Sequence, residues 1–249
     1  WVPAATDPGP TAPPPDPIVA ATERLDRPPR ILIVGDSVAF TLARGLLPFE
    51  EQLGLDVESE AVIACGVARG TGRVRLPDGT IATEASACHD WASRWPSAIN
   101  AFDPDLVLLV VGWPASTERD LDGTWRRPCD PVFDAWYREE VAEALHVLTA
   151  SGVPVAMTNA AYWRSARAPD WSDDGVDCLN DLYGELIAAT PGVAPVDLAG
   201  FVCPDPPDCV GEIDGVELRD DGLHFNGPAG TLVGMWVTRQ GLAAIAEDG

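Results

Sequence analysis

Arg30-Ile31-Leu32-Ile33-Val34-Gly35-Asp36-Ser37 decides the fold. Four apolar, mostly β-branched residues in succession read as a short buried strand. Gly35 ends that strand, and Val38 to Leu53 continues in helical spacing with Phe40, Leu42, Leu46, Leu47 and Leu53. Ser37 therefore sits at a strand-to-helix turn. Local sequence leaves two readings open there: a helix N-cap, for which serine is a favoured residue, or a nucleophile at the carboxyl edge of a parallel sheet.

A second stretch, Asp220-Asp221-Gly222-Leu223-His224-Phe225, separates those readings. Asp221 and His224 are three residues apart, so both side chains can point the same way. A carboxylate beside an imidazole holds the Nδ1 proton and leaves Nε2 free to take a proton from a serine hydroxyl. Gly-Asp-Ser near the start and Asp-x-x-His near the end together resemble the SGNH hydrolases, the GDSL esterase/lipase family. The resemblance covers residues 30 to 246 and implies an α/β fold: a three-layer α/β/α sandwich around a five-stranded parallel sheet, flavodoxin-like in organisation. It implies Ser37 as nucleophile, His224 as general base and Asp221 as its orienting acid. It also implies that the N–H groups of Ser37 and Gly66, the glycine after the second strand, form the oxyanion hole, though glycine is more often a plain turn residue.

One family signature is broken. Asp105 to Val111 reads as a central strand and ends in Gly112-Trp113-Pro114, where the family has Gly-x-Asn. Proline has no N–H to donate. Candidate substitutes for the missing donor are the Trp113 indole, the Thr117 hydroxyl, a backbone amide near Ala115–Ser116, and Asn159. A tryptophan near this point is similar to SGNH domains fused to membrane acyltransferases.

The rest of the chain sets the context. There are 39 acidic residues against 16 basic ones, all arginine, for a net charge of -23. That field argues against nucleic acid as a partner and keeps a secreted domain soluble. The longest apolar run, Leu106 to Val111, is too short to span a bilayer. Residues 1 to 29, with many prolines, read as a linker, and 30 to 249 as the domain. Six cysteines with no Cys-x-x-Cys, and three histidines without zinc-ligand spacing, speak for disulfides and against a metal; no cofactor is expected. The pairing expected from closeness in sequence is 65–88, 129–178 and 203–209.

The remaining elements are expected at definite places along the chain. Leu55 to Ala64 reads as the second strand, Pro77-Asp78-Gly79 as a hairpin turn, and Trp91 to Phe102 as a helix. Pro131 to Ser151 is amphipathic, with Phe133, Trp136 and Tyr137 as core and His146 structural. Val153 to Thr158 is the fourth strand, and Val193 to Leu198 the last. On the loop from Asn159 to Asp174, Tyr162, Trp163, Arg164, Arg167 and Trp171 read either as a glycan-stacking surface or as a loop folded over its own tryptophans. Asp36, Trp113, Tyr162, Trp163 and Arg164 are the candidate substrate contacts.

Taken together, the resemblance implies a serine-dependent enzyme passing an acyl group through an acyl-serine. The proline-rich leader, the acidity and the missing Asn resemble the extracytoplasmic SGNH domain of bacterial acyltransferase-3 proteins. That implies acetyl transfer onto a cell-envelope glycan, with an N-terminal membrane acyltransferase domain as partner. Arginine-only, Ala/Pro/Gly-rich composition fits a high-GC actinobacterium. A secreted carbohydrate esterase or lipase would use the same residues, and a non-catalytic glycan-binding domain is the rival of a different class.

Overall fold

The computed structural model describes residues 15–70, 72–76, 78–164 and 173–247. Its first element corrects the expected linker. Pro17–Leu25 is a helix, α1, with Ile18 and Ala21 buried and Asp16 ion-paired to Arg239. The prolines hid it: Pro17 stands in the first turn, where no amide hydrogen is needed, and the Asp16 side chain accepts from Ile18 N at 2.9 Å. The leader before residue 15 lies outside the described residues.

β1 (Arg30–Gly35) comes next, buried from Ile31 to Val34, and leads straight into α2 (Ser37–Leu46). A short α3 (Glu50–Leu53) precedes β2 (Asp56–Ser59). This strand stops well before the expected Ala64. β1 pairs with it only through Ile33, after which Glu60 N and Val62 N bond to Ile33 O and Gly35 O while the chain curls off the edge. β3 (Arg73–Arg75) and β4 (Ile81–Thr83) make the expected hairpin; of its turn, Pro77 lies outside the described residues. α4 (Trp91–Phe102) then leads to β5 (Leu106–Val110), every residue of which is buried.

After β5 comes a hairpin that the sequence reading did not anticipate, β6 (Glu118–Leu121) and β7 (Thr124–Arg126). Asp122 and Gly123 both take positive φ, 54° and 80°, the geometry of the tight turn favoured between antiparallel strands. β6 pairs with β3, so the two hairpins form one four-stranded sheet, β4-β3-β6-β7. The chain continues through α5 (Pro131–Thr149), β8 (Val155–Thr158), α6 (Asp173–Ala189) and β9 (Val193–Val196). It ends with α7 (Leu198–Val202), the small hairpin β10 (Glu212–Ile213) and β11 (Val216–Glu217), and α8 (Pro228–Glu247).

The central sheet has five strands in the order β2-β1-β5-β8-β9, all parallel. Parallel strands need both faces covered, which explains why β1 and β5 read as unbroken apolar runs. α1, α2 and α8 cover one face; α4, α5 and α6 cover the other. Phe133 and Tyr137 are buried on α5 as expected. The order reverses between β1 and β5, and the crevice at the carboxyl ends of those two strands is where open α/β sheets place their sites. Three disulfides close, Cys65–Cys88, Cys129–Cys178 and Cys203–Cys209, matching the expected pairing.

α2 carries the candidate nucleophile, and glycines set how closely it packs on α8. A Cβ added at Gly45 would lie 2.2 Å from the Gly230 carbonyl carbon. Gly45→Ala forces the two helices apart and is expected to destabilise the fold by about 1–3 kcal/mol. Chemical unfolding checks this; an unchanged midpoint would show that the two helices do not hold this contact.

Candidate active site

Ser37 is the first residue of α2 and is buried, with only 6 % of its surface exposed. The helix is capped by Asp36, not by Ser37, so the serine hydroxyl is not consumed by a cap. His224 Nε2 lies 2.8 Å from Ser37 Oγ, across 187 residues of chain. On its other side, His224 Nδ1 lies 2.6 Å from Asp221 Oδ2. The second oxygen of Asp221 accepts the backbone N–H groups of Leu223, at 2.9 Å, and His224, at 2.7 Å. Burial pushes the Asp221 carboxyl up, but the His224 backbone and imidazole hydrogen bonds outweigh it and hold the group below the ordinary carboxylate range. An ionised Asp221 places the proton on Nδ1, so Nε2 is the acceptor that faces the serine hydroxyl. The three side chains form one hydrogen-bonded run that ends on the Ser37 hydroxyl.

Asp36 works differently from the expected substrate contact. Its carboxylate is buried, 1 % exposed, and accepts Val38 N at 2.8 Å and Gly112 N at 2.7 Å. It therefore ties the turn after β1 to the turn after β5. Burial pushes its pKa up to about 6, against the pull of those two amides and of His224 nearby.

The loop that carries Gly66 has no regular structure but is pinned on several sides. The Cys65–Cys88 disulfide holds one end, and the Trp91 indole donates to Val67 O at 3.0 Å. Arg69 grips Glu140 and Glu143 on α5. Gly66 lies against the Pro114 turn: an added Cβ would stand 3.6 Å from Pro114 Cβ, an ordinary contact. Trp113 to Ser116 form a single 3₁₀ turn with Pro114 in its first turn, and Trp113 is half-buried on it. Two of the substitutes for the missing Asn are occupied elsewhere. Thr117 donates its hydroxyl to Pro114 O at 2.9 Å. Asn159 donates to Asp197 Oδ1 at 2.7 Å and accepts Ala199 N at 2.7 Å, so it clasps the start of α7 instead of facing Ser37. Arg119, buried and ion-paired with buried Glu84, also donates to Pro114 O, at 3.2 Å.

Tyr162 and Trp163 follow the reading of a loop folded over its own aromatics, Arg164 is exposed, and Arg167 and Trp171 lie outside the described residues. Tyr162 and Trp163 are buried, and the Tyr162 hydroxyl bonds Asp177. Arg164 is shared between Asp173 and Pro207 O, while its backbone N–H holds Gly222 O at 2.9 Å. Arg219, which the sequence reading passed over, donates to Tyr162 O at 2.6 Å; burial lowers its pKa to about 10. These residues form the seat under Asp221 and His224. A surface loop and a seat use the same residue types, so only their burial tells them apart.

Beside Ser37 and His224 opens a cleft of about 470 Å³, whose other walls include Phe40, Arg44, Ile63 and Asn226.

No protein-family model matches the sequence, and a comparison with curated proteins finds no match. Solved structures do match. The lipase/acylhydrolase from Enterococcus faecalis superposes with a TM-score of 0.54 at 17% identity, covering 86% of this chain and 95% of that one. A GDSL-like lipase from Bacteroides thetaiotaomicron gives 0.51 at 13% identity, covering 92% and 97%. The lipopolysaccharide acetyltransferase periplasmic domain of Salmonella ser. Paratyphi A gives 0.51 at 12% identity, covering 88% and 82%. At such identities the likeness is one of fold: this chain has the SGNH hydrolase fold.

Asp36→Asn turns an amide donor toward Val38 N or Gly112 N and is expected to cost about 1–3 kcal/mol of stability. The pH dependence carries a second signature. Because the native state holds the Asp36 proton up to about pH 6 and the unfolded chain releases it near 3.8, this group makes stability fall as pH rises between those values. The stability gap between wild type and Asp36→Asn is therefore widest near the lower end of that window and narrows toward the upper end. Denaturant midpoints across it check this, and parallel curves would contradict it.

Proposed function

We propose that this chain is a serine-dependent acyl-ester enzyme that works through an acyl-serine. The single observation that supports it most is the hydrogen-bonded run from Asp221 through His224 to Ser37 at the sheet's switch point. Ser37 Oγ attacks the ester carbonyl as its proton passes to His224 Nε2, and the imidazolium that forms is stabilised by Asp221. The backbone N–H groups of Ser37 and Gly66 receive the oxyanion. His224 then returns the proton to the leaving alcohol, which departs and leaves the acyl group on Ser37. A second alcohol or water, deprotonated by His224, attacks the acyl-serine; the bond from Ser37 Oγ to the acyl carbon breaks and His224 returns the proton to Ser37 Oγ. Without a third donor the chemical step would run about two to three decades slower; the Trp113 indole and the Ser116 backbone amide are the substitutes that remain as candidates for that place.

The acceptor we propose is a sugar hydroxyl of a cell-envelope glycan and the acyl group acetyl, which makes the domain an extracytoplasmic O-acyltransferase fed by a membrane acyltransferase domain. Three disulfides suit an oxidising compartment, and the Salmonella domain of like fold is named as a periplasmic acetyltransferase. No helix among the described residues is long and apolar enough to cross a membrane, so the donor's passage across one would fall to the partner. Hydrolysis to water is the second reading, favoured by the fold likeness to the acylhydrolase from Enterococcus faecalis.

Wild type and Ser37→Ala incubated with p-nitrophenyl acetate test the enzyme reading: turnover in the first and a loss of at least about a thousandfold in the second are expected. Turnover equal in both would overturn it. Added sugar acceptors then separate the two readings by the ratio of O-acetylated sugar to free acetate, which exceeds one only if transfer outruns hydrolysis.

A further inference from the structure

The cleft beside Ser37 is chemically unlike the rest of the molecule. The chain carries 39 acidic side chains, yet among the described residues none lines this cleft, and the one permanently charged side chain that does is Arg44. Other arginines of the domain, such as Arg27, Arg69, Arg94 and Arg138, are locked in ion pairs. Arg44 is exposed and has no ion-pair partner among the described residues. Its one described electrostatic role is to stand in the last turn of α2, at the negative end of the helix dipole.

Helical geometry puts Arg44 on the same face of α2 as Ser37. Ser37, Thr41 and Arg44 stand at i, i+4 and i+7 on α2, one face of the helix, and all three line the cleft. Seven residues of rise separate Ser37 from Arg44 by about 10 Å. Side chains on a helix lean toward its N-terminus, which here is the end that holds Ser37. An extended arginine at this position can therefore reach along the groove toward Ser37.

Arg44 also lies on a definite side of the ester. His224 Nε2 must reach both Ser37 Oγ and the oxygen of the departing or entering alcohol, so the alcohol part of the substrate occupies the His224 side. His224 and Asn226 line the same cleft as Arg44, and Gly66 and Pro114 are not among its walls.

Resting on the acyl-ester reading above, we propose that Arg44 selects an anionic alcohol: a sugar that carries a carboxylate or phosphate beside the hydroxyl that gives up or receives the acyl group. A planar guanidinium binds either group through paired hydrogen bonds. The overall charge of -23 repels anions from the protein at large, so a preference for them would have to come from a local site.

The test compares three O-acetylated methyl glycosides as substrates of the whole chain: a neutral hexose, the matching uronic acid, and the matching sugar phosphate. Wild type is expected to favour one or both anionic esters in kcat/KM by about tenfold or more, mainly through KM, with the preference shrinking as salt rises. The ratio should collapse toward one in Arg44→Gln and recover in part in Arg44→Lys. Comparing the uronic acid with the phosphate shows which anion is read. Calorimetric binding of the unacetylated sugars to wild type and Arg44→Gln reads the same preference without catalysis. Equal rates and equal binding for neutral and anionic sugars, or a preference that survives Arg44→Gln, would overturn the proposal. Failure of Ser37 to turn over any ester would sink the acyl-ester reading instead, and the binding arm would still decide the role of Arg44.

Discussion

The Asp36 carboxylate is the joint on which the site depends. By accepting Val38 N and Gly112 N at once, it clamps the loop after β1 to the loop after β5, at the point where the strand order reverses. Burying a carboxylate is costly, and the two amide donors offset much of that cost. The consequence is geometric. The two hydrogen bonds hold the N-terminus of α2, and with it Ser37, against the turn at Gly112.

The imidazole is held from the other end by a separate apparatus. Asp221 and His224 sit on a loop without regular structure, which alone would leave His224 mobile. Arg219 anchored to Tyr162 O, the Arg164 amide on Gly222 O, and the two N–H groups that Asp221 accepts hold that loop in place. The Cys203–Cys209 disulfide closes the loop just before it. Two clamps, one on the serine and one on the histidine, thus meet at the 2.8 Å contact between Oγ and Nε2. Arg119 and Glu84 extend the same logic beneath Pro114, where a buried ion pair braces a turn that carries no amide side chain.

Much of this was legible in the sequence wherever the signal was local or periodic. β1 and β5 announce themselves because strands buried on both faces must be apolar throughout, and Asp221 with His224 because three residues suffice to place them together. The helix α1 was not legible, since its prolines read as a linker and its partner Arg239 lies far along the chain. The β6–β7 hairpin did carry a signal, Asp122-Gly123 between strand-like residues, that went unread. For Asn159 and the Tyr162–Arg164 stretch the sequence leaves two readings open, because polar and aromatic residues at a sheet's carboxyl edge look alike whether they face a ligand or hold a loop. Only the partners of their side chains separate the two, and those partners are distant in sequence.

Everything proposed for the site rests on Ser37 being a nucleophile activated by His224. A fluorophosphonate probe tests it most directly: intact mass after incubation, then peptide mapping of the adduct. One adduct per chain is expected, on the peptide containing Ser37, and it should be lost when His224 is replaced by alanine. An adduct on any other residue, or none in the wild-type protein, would contradict the assignment.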